Sequence, residues 1–211
     1  DYFVIDRYFA AAASSGIASV LVANKADLGH EPALREELAV YESTGATTIA
    51  CTAASGDGLA SLCALLKSAT AVLVGQSGVG KSSLVNALVP DAGIETADLV
   101  RQTEEGRHTT TAARLYDLPD GGRLIDSPGV RDFSPAIDHL EPGTLGYTDI
   151  AWLAPKCRFL DCRHMREPDC AVAAAAVSGE LPARRYESYR RMRRLFEQLT
   201  EARGPGRQRR E

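Results

Sequence analysis

The sequence predicts an α/β fold: a domain with a mostly parallel sheet built around a phosphate loop, followed by a small, helix-rich C-terminal module. Three observations carry this expectation. Helical and β-branched strand patterns alternate from the N-terminus onward, which is the signature of parallel strands joined by crossover helices. A glycine-rich loop stands between an apolar strand and a helical pattern at residues 75–82. Cys157, Cys162, His164 and Cys170 then crowd into fourteen residues near the C-terminal end.

Taken in order, residues 5–15 are Ala-rich with apolar side chains at helical spacing, and residues 17–22 are an apolar, β-branched strand. Residues 32–44, with Pro32 near the start, predict a second helix leading to a strand at 47–52. A third helix at 58–68 leads to a strand at 70–74, and the glycine loop then opens a helix at 81–88. Residues 111–117 and 123–126 read as a hairpin joined at Pro119-Asp120-Gly121-Gly122. The following stretch is loop-rich up to the Cys/His cluster, and a last amphipathic helix is expected over 182–203. The boundaries are therefore 1–150 for the phosphate-loop domain, 151–203 for the module, and a frayed Gly, Pro, Gln and Arg tail at 204–211.

The length of 211 residues holds one α/β core plus an appendage, and 45% hydrophobic with 25% charged residues is ordinary for a globular chain. The longest apolar runs are about seven residues, such as 171–177, against the roughly 20 that cross a bilayer, so no membrane partner is expected. Five cysteines is an odd number with three of them clustered, which favours a metal site in a reducing cytoplasm over a disulfide framework. The net charge of −4 hides an asymmetry: from Lys156 onward one Lys and thirteen Arg face eight acids, leaving the body strongly acidic. That polarity points the C-terminal part toward a polyanion.

The glycine loop is Gly75-Gln76-Ser77-Gly78-Val79-Gly80-Lys81-Ser82-Ser83. Its glycines let backbone N–H groups turn toward phosphate oxygens, Lys81 is placed to reach the β- and γ-phosphates as a catalytic cation, and Ser82 offers a hydroxyl to Mg²⁺. Asp126-Ser127-Pro128-Gly129 ends the second hairpin strand, where a carboxylate near Mg²⁺ and a γ-phosphate-sensing amide belong. Thr110, chosen from the run Thr109-Thr110-Thr111, is a second hydroxyl for Mg²⁺, although such a run equally begins a strand. Asn24-Lys25-Ala26-Asp27 follows the first strand. Guanine presents N1–H and a 2-amino group side by side, a donor pair that one carboxylate, Asp27, accepts and adenine lacks. Lys25 would lie along the base and Asn24 would tie this loop to the phosphate loop, while Thr52-Ala53 would offer a backbone N–H to the guanine O6. As a bare tetrapeptide, Asn24 to Asp27 also fits a polar turn. A phosphate-loop ATPase remains the alternative in which it is accidental.

These motifs stand in an unusual order, because the base-reading tetrapeptide precedes the phosphate loop. Parallel strands deliver their C-terminal ends to one edge of the sheet, so the loops converge whatever their order. The domain is therefore expected to be circularly permuted. In the C-terminal module, three thiolates and an imidazole form a closed tetrahedral zinc set, Cys157, Cys162, His164 and Cys170, of structural type. Arg184, Arg185, Arg190, Arg191, Arg193 and Arg194 crowd the last helix with Tyr186 and Tyr189 among them. As a cluster they favour RNA phosphates, and a solvated charged face is the bland alternative.

The permuted order, the phosphate loop, the His108-Thr109-Thr110-Thr111 stretch, Asp126-Ser127-Pro128-Gly129-Val130 and the downstream Cys/His cluster resemble the ribosome small-subunit-dependent GTPase A (RsgA) family of bacteria. The resemblance covers residues 5–196. It implies a circularly permuted GTPase with Mg²⁺ and one structural zinc, acting in late maturation of the small ribosomal subunit. It further implies contact with that subunit's rRNA and stimulation of GTP turnover by it. GTP and GDP are the expected ligands, and a cytoplasmic, monomeric chain is expected. Val130 stands where many GTPases place a water-orienting Gln; the family shares this, and the resemblance gives that task to His108. Gly78 replaces the Asn of potassium-assisted phosphate loops, so no K⁺ site is expected. Family members begin with an oligonucleotide-binding (OB-fold) β-barrel and one more strand of the GTPase sheet. Both are expected to be absent here, with a cost to stability and RNA affinity. An RNA-binding assembly factor with an inactive GTPase is the remaining alternative.

Overall fold

The computed structural model describes residues 2–29, 32–94, 113–127 and 140–203. Its elements run α1 (Tyr2–Ser14), β1 (Val20–Ala23), α2 (Pro32–Ser43), β2 (Thr47–Ala50), α3 (Leu59–Leu66), β3 (Thr70–Leu73) and α4 (Lys81–Leu88). They continue with β4 (Arg114–Asp117), β5 (Arg123–Asp126), α5 (Thr148–Leu153), α6 (Ala171–Ser178) and α7 (Ala183–Arg203). Every expected element is present within a few residues of its expected bounds. Helices α5 and α6 were not foreseen. The Ala-rich segment of α6 starts where the Cys170 Sγ accepts the Ala173 N–H at 3.4 Å and stops at Gly179 in a left-handed conformation, so the cluster itself supplies the cap.

The strands are mostly parallel, in two ladders. β1 pairs with β2 in register Val20↔Thr47, and β3 pairs with β5 in register Thr70↔Arg123. β4 closes the second ladder as an antiparallel hairpin partner of β5. Among the described residues no strand bonds β1 to β3. Val20 and Val72 on these strands stay 38% and 53% exposed, unusual for parallel strands, which are normally covered on both faces. Helices α3 and α4 cover the ladders through Leu62, Leu66, Leu84, Val85 and Leu88, which meet Ile49, Cys51 and Leu124 in one core.

The chain divides into two compact units, residues 20–132 and residues 1–19 with 133–211. The division expected at residue 150 thus assigned α1 to the phosphate-loop domain, whereas its contacts are with the C-terminal segment. Phe3 and Ala10 of α1 share a core with Tyr147, Ile150, Val172, Leu181, Tyr189 and Met192. Packing there is close: a Cβ on Gly146, which sits at φ 78°, would collide with the Ala10 carbonyl. Buried charge reinforces it. The Asp6 carboxylate receives Arg185 Nη1 at 2.5 Å and Arg184 Nη1 at 2.7 Å, and Arg185 donates Nε and Nη2 to Asp149 at 2.7 and 3.0 Å. Asp6 and Arg185 lie 179 residues apart in the chain, a pairing that helical periodicity cannot reveal.

Candidate functional site

The base-reading tetrapeptide and the phosphate loop are joined by side chains reaching for backbone. Asn24 Nδ2 donates to the Val79 and Gly80 carbonyls at 3.3 and 3.4 Å, and its Oδ1 accepts the Ala53 N–H at 3.2 Å. One side chain thus ties together the loops after β1, β2 and β3. Gly80, at φ 91°, is required twice over: its backbone is left-handed, and a Cβ there would strike the Asn24 amide. Lys25, itself left-handed at φ 61°, sends its Nζ to the Gly78 carbonyl at 3.3 Å. Asp27 is exposed, and its backbone N–H donates to the Thr52 hydroxyl at 3.2 Å, while the Ala26 N–H donates to the Cys51 carbonyl.

Thr52 therefore acts differently from the expectation of a base-facing N–H. Its N–H is given to the Asp57 carbonyl and its buried hydroxyl fixes the Asp27 loop. The Ala53 N–H has Asn24 as its partner, an exchangeable hydrogen bond to a side-chain oxygen. Sequence reasoning missed the Thr52 hydroxyl, and the only signal for it was a hydroxyl residue directly after an apolar strand.

The phosphate loop itself is folded onto its own lysine. Lys81 Nζ donates to the Gly75 and Gln76 carbonyls at 2.8 and 2.9 Å. Register places Asp126 beside Leu73, one strand over from the loop, and Ser127 Oγ donates to the Leu73 carbonyl at 2.8 Å. Burial pushes the Lys81 pKa down, and Asp126 offsets this only in part. Burial likewise pushes the Asp126 carboxyl up, against the opposing pull of Lys81 and Arg114. Both shifts express the cost of taking a charge out of water, which their mutual attraction offsets only in part. Asp126 with the Ser82 hydroxyl is a hard oxygen donor set of the kind Mg²⁺ takes. His108, Thr110 and Gly129 lie outside the described residues.

In the other unit, the four expected metal ligands come together. The donor atoms of Cys157, Cys162, His164 and Cys170 all lie within 4.8 Å of one another. His164 Nδ1 is 3.5 Å from the Sγ atoms of Cys157 and Cys170, and those sulfurs are 3.9 Å apart. A tetrahedral zinc with bonds of about 2.3 Å to sulfur and 2.0–2.1 Å to nitrogen needs edges of roughly 3.5–3.8 Å, so the cluster fits that ion. Without a cation, burial pushes the Cys162 thiol up to about 12 and the Cys170 thiol upward as well. Burial keeps His164 neutral by lowering its pKa, which leaves a ring nitrogen free to ligate.

The arginines of helix α7, expected as a cluster to favour RNA phosphates, differ among themselves in burial and partners. Arg185 and Arg193 are buried, the first on Asp6 and Asp149, the second donating to the Gly143 carbonyl at 3.0 Å and the Tyr189 hydroxyl at 2.7 Å. Arg191 lies over the Phe3 ring at 4.1 Å, and Arg190 and Arg194 both reach Glu187. Tyr189 is fully buried, its hydroxyl donating to the Gly143 and Arg163 carbonyls, and so is not available to stack on a base. Arg184 and Arg185 are held by carboxylates from distant α1 and α5 and Arg193 by Gly143 and Tyr189, whereas Arg191 and Arg194 stay exposed.

The family model of the RsgA GTPase matches residues 1–136. The chain belongs to the RsgA GTPase family. It is 46% identical over 194 residues to small ribosomal subunit biogenesis GTPase RsgA 1 of Vibrio vulnificus, covering 90% of this chain and 54% of that protein. With small ribosomal subunit biogenesis GTPase RsgA of Histophilus somni the identity is 42%, over 90% of this chain and 55% of the relative. The chain spans about half the length of the curated relatives it matches. Among solved structures, YjeQ from Thermotoga maritima superposes with a TM-score of 0.70 at 32% identity, over 95% of this chain and 66% of that one. YloQ, described as a circularly permuted GTPase, gives 0.73 at 26% identity over 94% and 64%. The permuted motif order is thus a property this RsgA-family chain shares with solved relatives.

Proposed function

We propose that the chain binds GTP in the presence of Mg²⁺, hydrolyses it to GDP and phosphate, and serves maturation of the small ribosomal subunit in contact with its rRNA. The observation that carries the reading is Asn24, whose amide joins the base-reading loop to both the phosphate loop and Ala53. A polar turn of accidental sequence has no reason to be wired to residues 53, 79 and 80 at once. The family match and the names of the curated relatives support the reaction and the partner.

In this reading Asp27, exposed and with its loop pinned by Thr52, accepts the N1–H and 2-amino donors of guanine. Lys25 lies along the base, Ala26 closes the turn, and the Ala53 N–H leaves Asn24 for the guanine O6. Gly75, Gln76, Ser77, Gly78, Val79, Gly80 and Ser83 supply the phosphate cradle. Lys81 exchanges the Gly75 and Gln76 carbonyls for β- and γ-phosphate oxygens, so its stabilisation grows as charge develops on the leaving group. Mg²⁺, when bound, neutralises phosphate charge, with Ser82, Thr110 and Asp126 as the residues that hold it. Gly129 senses the γ-phosphate and His108 orients the attacking water. Cys157, Cys162, His164 and Cys170 hold a structural zinc, which has no open position for catalysis. The proposed chain is monomeric and cytoplasmic, and no described helix is long and apolar enough to cross a membrane.

The test is GTP turnover with and without purified small ribosomal subunits. The reading expects phosphate release that rises when subunits are added and disappears in Lys81→Ala. Retained GTP affinity with no phosphate release, even beside subunits, would instead support an assembly factor with an inactive GTPase.

A further inference from the structure

We propose that Glu167 is the positioning residue of the metal centre: its carboxylate holds the backbone of residues 163–166 in the conformation that aims His164 at the thiolates. The inference rests on reading the Cys₃His cluster as a metal centre. Three backbone amides converge on this one side chain. Oε1 accepts the Arg163 N–H at 3.0 Å, and Oε2 accepts the Met165 and Arg166 N–H groups at 2.8 and 2.9 Å. The donors flank His164 on both sides in sequence. His164 itself sits in the left-handed region at φ 58°, a conformation that is unfavourable for a non-glycine residue and persists only where surroundings over-determine it.

The loop's carbonyls are fixed from the opposite direction. Tyr186 donates its hydroxyl to the His164 carbonyl at 2.9 Å, and Tyr189 donates to the Arg163 carbonyl at 3.0 Å. The 164–165 peptide is thus held at its N–H by Glu167 and at its carbonyl by Tyr186, and the 163–164 peptide at its carbonyl by Tyr189, which restricts rotation on both sides of His164. The imidazole is therefore delivered 3.5 Å from two sulfurs rather than searching for them. Glu167 is no fifth ligand, since both its oxygens are engaged by amides and the donor set consists of the three cysteines and His164. A solvated surface carboxylate would not collect three amides of one turn. Ordering the loop before the ion arrives means that binding does not bear that entropy cost, which raises affinity without adding a bond.

The experiment uses the full chain, with zinc in competition against a chromophoric chelator and cobalt as a spectroscopic substitute. Glu167→Gln keeps the shape and an acceptor oxygen but turns an NH₂ toward at least one of the amides. Glu167→Ala removes all three contacts. Zinc affinity should fall in the order wild type, Gln, Ala, by about 10-fold to 100-fold as for other groups that orient a metal ligand. The visible bands of the cobalt form should shift in Ala and be partly restored in Gln. A residue that only stabilises the turn would lower resistance to urea while leaving zinc affinity and the cobalt spectrum at wild-type values, and that result overturns the proposal. If the Ala chain does not fold, wild-type zinc affinity in Gln overturns it alone. Failure of the wild-type chain to bind zinc would remove the metal centre itself, a distinct outcome.

Discussion

The nucleotide unit and the metal unit are ordered by opposite means. In the first, the side chains that carry chemistry reach for loop backbone: Asn24 for Val79 and Gly80, Lys25 for Gly78, Lys81 for Gly75 and Gln76. Each contact is an exchangeable hydrogen bond, and the ladders beneath leave Val20 and Val72 exposed. In the second, charge is buried and captured by other side chains, with Asp6 at 1% exposure beside Arg185 at 4%, and four metal ligands are gathered within one short segment. The contrast teaches how each unit meets its ligand. On the proposed function, the nucleotide loops hold stand-in partners that a phosphate or a base would replace, whereas the loop of the Cys/His cluster is set in place by residues that would stay bound.

Chelating the metal is the strongest way to break the comparison. Apparent zinc-binding energies of about 10–16 kcal/mol in small zinc modules are as large as the whole stability of a typical domain, about 5–15 kcal/mol. Removal should therefore abolish amide hydrogen-exchange protection in α5 and α6, whose caps and core include the ligands, while α4 keeps its protection. Equal loss in α4 would show that the units do not differ in this way.

Arg185→Met ranks next. It takes the guanidinium away from two buried carboxylates, Asp149 and Asp6, of which Asp6 keeps Arg184, and breaking a buried ion pair from one side costs about 3–5 kcal/mol. Urea unfolding of the zinc-loaded chain should show that loss, whereas Arg194→Met, at an exposed pair with Glu187, should change stability by less than about 1 kcal/mol. Similar small effects from both would show that the two arginines do not differ in this way.

Thr52→Val sharpens the comparison on the nucleotide side. The substitution keeps volume but leaves the Asp27 N–H without its acceptor, a hydrogen bond worth about 0.5–1.5 kcal/mol. GTP affinity should drop a few-fold by calorimetry with zinc affinity unchanged.

How legible each unit was in the sequence follows the same divide. Lys81, Asn24 and the Cys/His cluster are local patterns whose spacing suggests their chemistry, and in the structure Asn24 reaches the phosphate loop while Cys157, Cys162, His164 and Cys170 gather within 4.8 Å. The Asp6–Arg185–Asp149 network is written in residues 36 and 179 positions apart, with no local period to betray it. For that reason the packing of α1 with residues 133–211 and the internal partners of Arg184 and Arg185 were not foreseen. Helix α6 was missed because its apolar run has no polar face to give it a period, and because its cap is a cysteine.

The central claim is that a permuted order of loops still assembles a site selective for guanine. Calorimetric titration of GTP and of ATP, each with Mg²⁺, into the chain and into Asp27→Asn tests it most directly. The account predicts GTP preferred over ATP on the order of 10- to 100-fold, since two hydrogen bonds to one carboxylate are at stake, and loss of that preference in Asp27→Asn. Equal affinity of the unsubstituted chain for the two nucleotides, or a preference that survives in Asp27→Asn, would contradict it.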